Sequence, residues 1–308
     1  NAPVAVAPSG TRYAVAPNRR GGEIFVFDRE GRLQARFGGP GQGPGEYRRI
    51  TALTYDVFDS LFVFDSENNR VTVLGPEHES SRDFPLDAHI YQTAWASDTA
   101  LVIQGLFRDL TPPNSRARML TKTGLKPVAF DDGIIFYGGI EHTFRPVTAA
   151  GAGGFWMSEY RDLSLTLFDK DGEKLDSLAF LGDWMGVEPR NARAWEDLID
   201  TEPAVLGISE DASGMMWILC GVPPEEFPEF RGDPEKIPFG EVDVEDLGYQ
   251  LLSVFHPERR DAPRSTRRLS FFSQGLLPGG LGFFGKENES GEVTIAVARL
   301  RLTHQGGS

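Results

Sequence analysis

The chain has 308 residues, 40% hydrophobic and 25% charged, so it can bury a large core and is too apolar to remain disordered. Its formal charge of −14 argues against a nucleic-acid partner, which is held mainly by surplus Lys and Arg, and against general attraction to anionic lipid. A single cysteine, Cys220, rules out an intrachain disulfide, and no apolar run reaches the roughly 18 residues of a membrane span.

With 35 glycines and 21 prolines separating short apolar runs, the chain reads as all-β with many short strands. One hairpin recurs along it. The first copy is "EIFVFDREGRLQARF" from Glu23, the next "RVTVLGPEHESSRDF" from Arg70, then "RARMLTKTGLKPVAF" from Arg116. It returns as "SLTLFDKDGEKLDSLAF" from Ser164 and "QLLSVFHPERRDAPRSTRRL" from Gln250, with a looser copy, "VTIAVARLRL", from Val293. Equivalent points at Phe27, Leu74, Leu120, Phe168, Phe255 and Ala298 are spaced by 47, 46, 48, 87 and 43 residues; the long interval holds only one copy and reads as one unit with insertions. Another strand precedes each of the first five hairpins: "TRYAVA", "SLFVFD", "TALVIQG", "GGFWMSE" and "GMMWILC". About four strands per repeat of roughly 45 residues is the pattern of a propeller blade. The expectation is one six-bladed β-propeller domain over residues 1–308, each blade having about four antiparallel strands. Packing blades against one another buries faces that a single blade leaves open. The strands at the N-terminus are expected to pair with those around Val293–Leu302.

The run "RFGGPGQGPGEYRRI", Arg36 to Ile50, raises the question of a phosphate loop. Such a loop needs a following helix, but "ITALTYD" is β-like, and no G-x-x-x-x-G-K-[ST] is present. Gly38, Gly39, Gly41, Gly43 and Gly45 are expected to supply positive-φ turns between blades.

The segment from Phe37 to Glu77, "FGGPGQGPGEYRRITALTYDVFDSLFVFDSENNRVTVLGPE", resembles the NHL repeat, which runs from a Gly-Pro-Gly-Glu-aromatic turn through an apolar strand to "VFDSENNRV". The whole chain resembles the bacterial exported six-bladed propellers distantly related to NHL proteins. That resemblance implies a periplasmic or otherwise extracytoplasmic location and a binding role. The chain starts at Asn1, so a signal segment or anchor is expected to have been processed away or omitted upstream. Membrane association is expected only through a partner or such an anchor.

Propeller enzymes of the gluconolactonase type hold a divalent ion with converging oxygens. Here Asp28, Asp65, Asp169, Asp171, Asn68 and Asn69 sit where turns place them. The histidines, His78, His89, His142, His256 and His304, have no pair at ligand spacing. No catalytic residue, metal ligand or cofactor is assigned. Cys220, in "MMWILC", reads as a buried inert thiol. A channel-mouth ligand site is a candidate at His142, Arg145, Tyr160 and Arg161.

Two insertions stand out. Within 182–203, Ala194, Trp195, Leu198 and Ile199 fit one side of a short helix. The second, 223–248, has five prolines, nine acidic residues and two basic ones, and reads as a long acidic loop. Its Phe227, Phe230 and Phe239, with Arg231, are the candidate partner-binding residues. The sequence reads as a non-enzymatic binding or scaffold module with a protein partner, a candidate accessory subunit of a larger assembly. The rivals are a channel-centred metal-dependent hydrolase or lyase of the gluconolactonase or NHL type, and a small-ligand binder.

Overall fold

A computed structural model describes residues 2–18, 20–78, 81–108, 117–121, 124–128, 146–159, 164–179, 204–222, 249–256, 263–269, 273–287 and 293–302. All regular elements among these residues are strands, arranged as six antiparallel sheets. The first sheet is β1 (Val4–Val6), β2 (Arg12–Val15), β3 (Glu23–Asp28) and β4 (Leu33–Gly38). The second is β5 (Ile50–Tyr55), β6 (Leu61–Asp65), β7 (Arg70–Leu74) and β8 (Ser81–Pro85). The third is β9 (Ala88–Ser97), β10 (Ala100–Phe107), β11 (Ala117–Thr121) and β12 (Gly124–Pro127). The fourth is β13 (Val147–Ala149), β14 (Phe155–Glu159), β15 (Ser164–Phe168) and β16 (Lys174–Ala179). The fifth is β17 (Ala204–Glu210), β18 (Met216–Val222), β19 (Tyr249–Phe255) and β20 (Ser265–Arg268). The sixth shows three strands, β21 (Ser273–Leu277), β22 (Leu281–Glu287) and β23 (Val293–Arg299). Each sheet is a meander in sequence order, the build of a six-bladed β-propeller. Among the described residues β1 pairs with β2 and β23 with β22; the expected pairing of the N-terminal strands with the strand from Val293 is not among them.

The chain divides into two compact units, Asn1–Met157 with Thr166–Ser177, and Ser158–Leu165 with Leu178–Ser308. In the first unit the leading strands β1, β5, β9 and β13 neighbour one another in that order. The core lies between blades. Ala5, Ala14, Ile24 and Val26 of the first blade share a cluster with Ile50, Leu53, Leu61 and Val63 of the second. The other face of the second blade, with Ala52, Phe64 and Val71, meets Ile90, Leu101 and Ile103 of the third. Alanines let the sheets approach, and each fully buried Ile, Leu or Val contributes about 1.5–3 kcal/mol. In the second unit Trp217 and Val254 pack with Leu276 and Leu300.

The hairpins close by one recurring device. An aspartate at the end of one strand accepts the amides two and four residues on, as Asp28 does from Glu30 and Arg32, and Asp56 from Phe58 and Ser60. Asp169 and Asp211 repeat it with Asp171 and Glu173, and with Ser213 and Met215. Of the acidic residues expected in turns, Asp28 and Asp169 are thus turn builders. Outer strands carry charges that discourage edge-to-edge pairing, such as Arg82 and Asp83 on β8 and Arg267 and Arg268 on β20.

A second device is a bulge in the leading strand. One residue is skipped in the pairing of β5, β17 and β21, namely Thr51, Leu206 and Gln274, and two are skipped in β9, Tyr91 and Ala96.

Candidate functional site

The glycine-rich run is locked from the neighbouring strands. Asp65, 1% exposed, accepts the amides of Arg48 (3.0 Å) and Arg49 (2.9 Å) and the Asn68 side-chain amide (2.6 Å). Asn68 also donates to the Gly41 carbonyl at 2.9 Å, and Arg70 donates to the carbonyls of Gly43 and Glu46. The Glu46 carboxylate folds back onto the Gly43 amide at 2.9 Å. The loop therefore turns its amides and carbonyls inward, where a phosphate loop would present amides to an anion. Gly38 and Gly45 have positive φ, of 87° and 73°; Gly39, Gly41 and Gly43 do not, which corrects the expectation for those three. The Tyr47 side chain is fully buried, and burial pushes its hydroxyl up to about 12, so it stays neutral.

The strongest docking feature among the described residues is the turn between β5 and β6. Phe58 is 70% exposed and Val57 42%. The turn is rigid: Asp56 closes it, and Asp59, at φ 60°, meets Arg12 at 3.5 Å. Arg12 also donates to the Pro76 carbonyl. Corresponding turns elsewhere carry small or polar residues at their tips, such as Pro8 and Ser9, Gly151 and Ala152, or Ala212 and Ser213. Sequence reading passed over Phe58; the signal was an apolar pair inside an Asp-initiated turn.

His78 packs within the first unit. Its ring stacks on Phe37 at 5.2 Å between centroids, and its Nε2 lies 3.3 Å from the Tyr55 hydroxyl. Cys220 is 1% exposed and burial pushes its thiol up to about 12, in line with the inert reading. Among the described residues no group of three or more His, Cys, Asp or Glu is placed to hold a metal ion, and no helix is long and apolar enough to cross a membrane. His142, Arg145, Tyr160 and Arg161 lie outside the described residues, as do Phe227, Phe230, Arg231 and Phe239 and the helix expected at 194–199.

A family described as a six-bladed beta-propeller matches residues 5–94, from β1 into β9. None of the curated proteins matches the chain. Among solved structures, a Bacteroides fragilis protein described by name as exported has a TM-score of 0.61 at 10% identity, over 92% of this chain and 78% of that one. A duf4221 family member from Bacteroides vulgatus has a TM-score of 0.56 at 11% identity, over 97% and 93%. Virginiamycin B lyase from Staphylococcus aureus has a TM-score of 0.51 at 10% identity, over 98% and 85%. Such identities establish a shared fold, and many functions share this one. The sheet order, the family match and these likenesses together make the chain a six-bladed β-propeller.

Proposed function

We propose that this propeller is a non-enzymatic, exported binding module that docks a protein partner, serving as a scaffold or accessory subunit of a larger assembly. The observation that carries this reading is the β5–β6 turn. Phe58 projects into solvent from a backbone that hydrogen bonds already fix, so docking orders little further chain. Aromatic anchors of this kind dominate binding energy at interfaces. The acidic segment 223–248 supplies the second set of anchors in this proposal, with Phe227, Phe230, Arg231 and Phe239. The exported description of the Bacteroides fragilis relative supports a periplasmic location. Residues 1–308 act as one domain in this reading, and any membrane association runs through the partner or an anchor.

The test is quantitative affinity capture from envelope fractions with three full-length baits: wild type, Phe58→Ser, and Phe227→Ser/Phe230→Ser/Phe239→Ser. A protein retained by wild type should bind each variant about tenfold or more weakly, with thermal midpoints nearly unchanged. Equal recovery by all three baits would refute the reading. A midpoint many degrees lower in the triple variant would assign those rings to the core instead.

A further inference from the structure

Among the described residues five sheets have four strands and the sixth has three, ending at β23. The outer strands of the other five blades each carry a charge within them: Arg36, Asp83, Lys126, Asp176 and Arg267. Such charges keep an open edge from pairing with another strand. The β23 sequence, VTIAVAR, is seven residues long and bears a charge only at its last position. Thr294, Ala296 and Ala298 on it are exposed.

The open edge has a definite phase. Leu300 donates to the Gly280 carbonyl at 2.9 Å, in step with the ladder that sets Ala298 opposite Gly282 and Ala296 opposite Phe284. Antiparallel strands bond a given neighbour through alternate residues. Thr294, Ala296 and Ala298 therefore turn their backbone groups toward β22, and the N–H and C=O of Ile295 and Val297 point to the open side. No strand among the described residues pairs there.

The pattern along this edge is self-complementary, as a two-fold contact between identical chains requires. An antiparallel copy centred on Ala296 sets Ile295 opposite Val297 and Thr294 opposite Ala298. The two ends carry opposite charge. The leading end follows Glu292 and pairs with Glu287, and the trailing end holds Arg299 and is followed by Arg301. Antiparallel pairing brings the acidic end of one copy to the basic end of the other, whereas parallel pairing would set like charges side by side. The net charge of −14 repels two copies at long range, but about 0.15 M salt screens charges more than about 8 Å apart, so the contact itself decides.

We propose that the open edge of β23 binds a second copy of this chain, β23 against β23 and antiparallel about Ala296, joining the two sixth blades into one sheet. The contact is made of main-chain hydrogen bonds, with the side-chain pattern setting direction and register. It is independent of docking at Phe58.

The experiment is sedimentation of the full chain at micromolar concentrations in about 0.15 M salt, with thermal midpoints recorded for every variant. Wild type should run as a dimer. Ala296→Lys and Ala296→Glu each set like charges opposite one another at the two-fold axis, and each alone should dimerise about tenfold or more weakly. An equal mixture of the two should recover the dimer. Val297→Pro removes an outward N–H and no bond to β22, and should give a folded monomer. Wild type monomeric throughout, a dimer indifferent to all three substitutions, or no recovery on mixing would overturn the proposal. A monomeric wild type whose midpoint drops many degrees on Val297→Pro would overturn it too, by placing a strand of the same chain on this edge.

Discussion

Gly105 on β10 faces His89 on β9 so closely that a Cβ at Gly105 would stand 2.3 Å from the His89 carbonyl oxygen. The Ile90 Cα lies 3.0 Å from the same point, so backbone, not a flexible side chain, fills the space. The bulge at Tyr91 and the glycine opposite it are therefore one feature. Gly105→Ala should destabilise the protein by about 1–3 kcal/mol, read from the denaturant midpoint. A loss below about 0.5 kcal/mol would show that β9 slides aside without strain.

Asp65 holds the inter-blade loop through the Arg48 and Arg49 amides and the Asn68 side chain. Asp65→Ala removes every one of these acceptors at a site 1% exposed. A buried donor left without a partner costs about 1–3 kcal/mol, so the total should be at least about 2 kcal/mol. Asp65→Asn keeps one carbonyl oxygen and should cost less. Equal stability of wild type and Asp65→Ala would mean that water replaces the carboxylate in the loop.

These two sites mark what the sequence can and cannot convey. Alternating apolar runs around polar turns disclosed the hairpins β3–β4, β7–β8, β11–β12, β15–β16 and β19–β20, because strand period and turn chemistry are local. Asp65 and Asn68 were readable as turn residues, yet their grip on Gly41, Arg48 and Arg49 spans 16 to 27 positions and appears only after folding. A bulge is a relation between two strands, so nothing local in the sequence marks Tyr91 or Gly105. The strand β22, "LGFFGKE", was missed because its glycines resemble turn signals. Phe58 was missed because exposure depends on how the blades pack, which the local sequence around an Asp-initiated turn does not state.

Asp211 gives the fold a pH dependence. Burial alone raises its pKa, but hydrogen bonds from Ser213, Trp217 and Met215 outweigh that and hold the carboxyl below its ordinary 3.8. A depressed carboxyl pKa stabilises the folded state fully above the unfolded value, and the contribution fades as pH falls through the folded value. The thermal midpoint of wild type should exceed that of Asp211→Asn by a constant margin above about pH 5, and the margin should close below about pH 3.8. A margin independent of pH down to full unfolding would show that ionised Asp211 is no better held than a neutral amide.

Cys220 tests the integrity of the fifth blade. It lies mid-strand in β18, paired with Val205 on one side and Leu251 on the other, and is 1% exposed. Burial pushes its pKa up to about 12, so near neutral pH almost none of it is the reactive thiolate. Both access and ionisation therefore require β18 to open. Native protein should resist iodoacetamide at pH 8, while denatured protein takes up one equivalent per chain, matching its single cysteine. The labelling rate under native conditions should follow the opening equilibrium, rising with denaturant along the global unfolding curve. Rapid stoichiometric labelling in buffer would show instead that β17 and β19 part from β18 without unfolding the rest, and the fifth blade would then be the least stable part of the propeller.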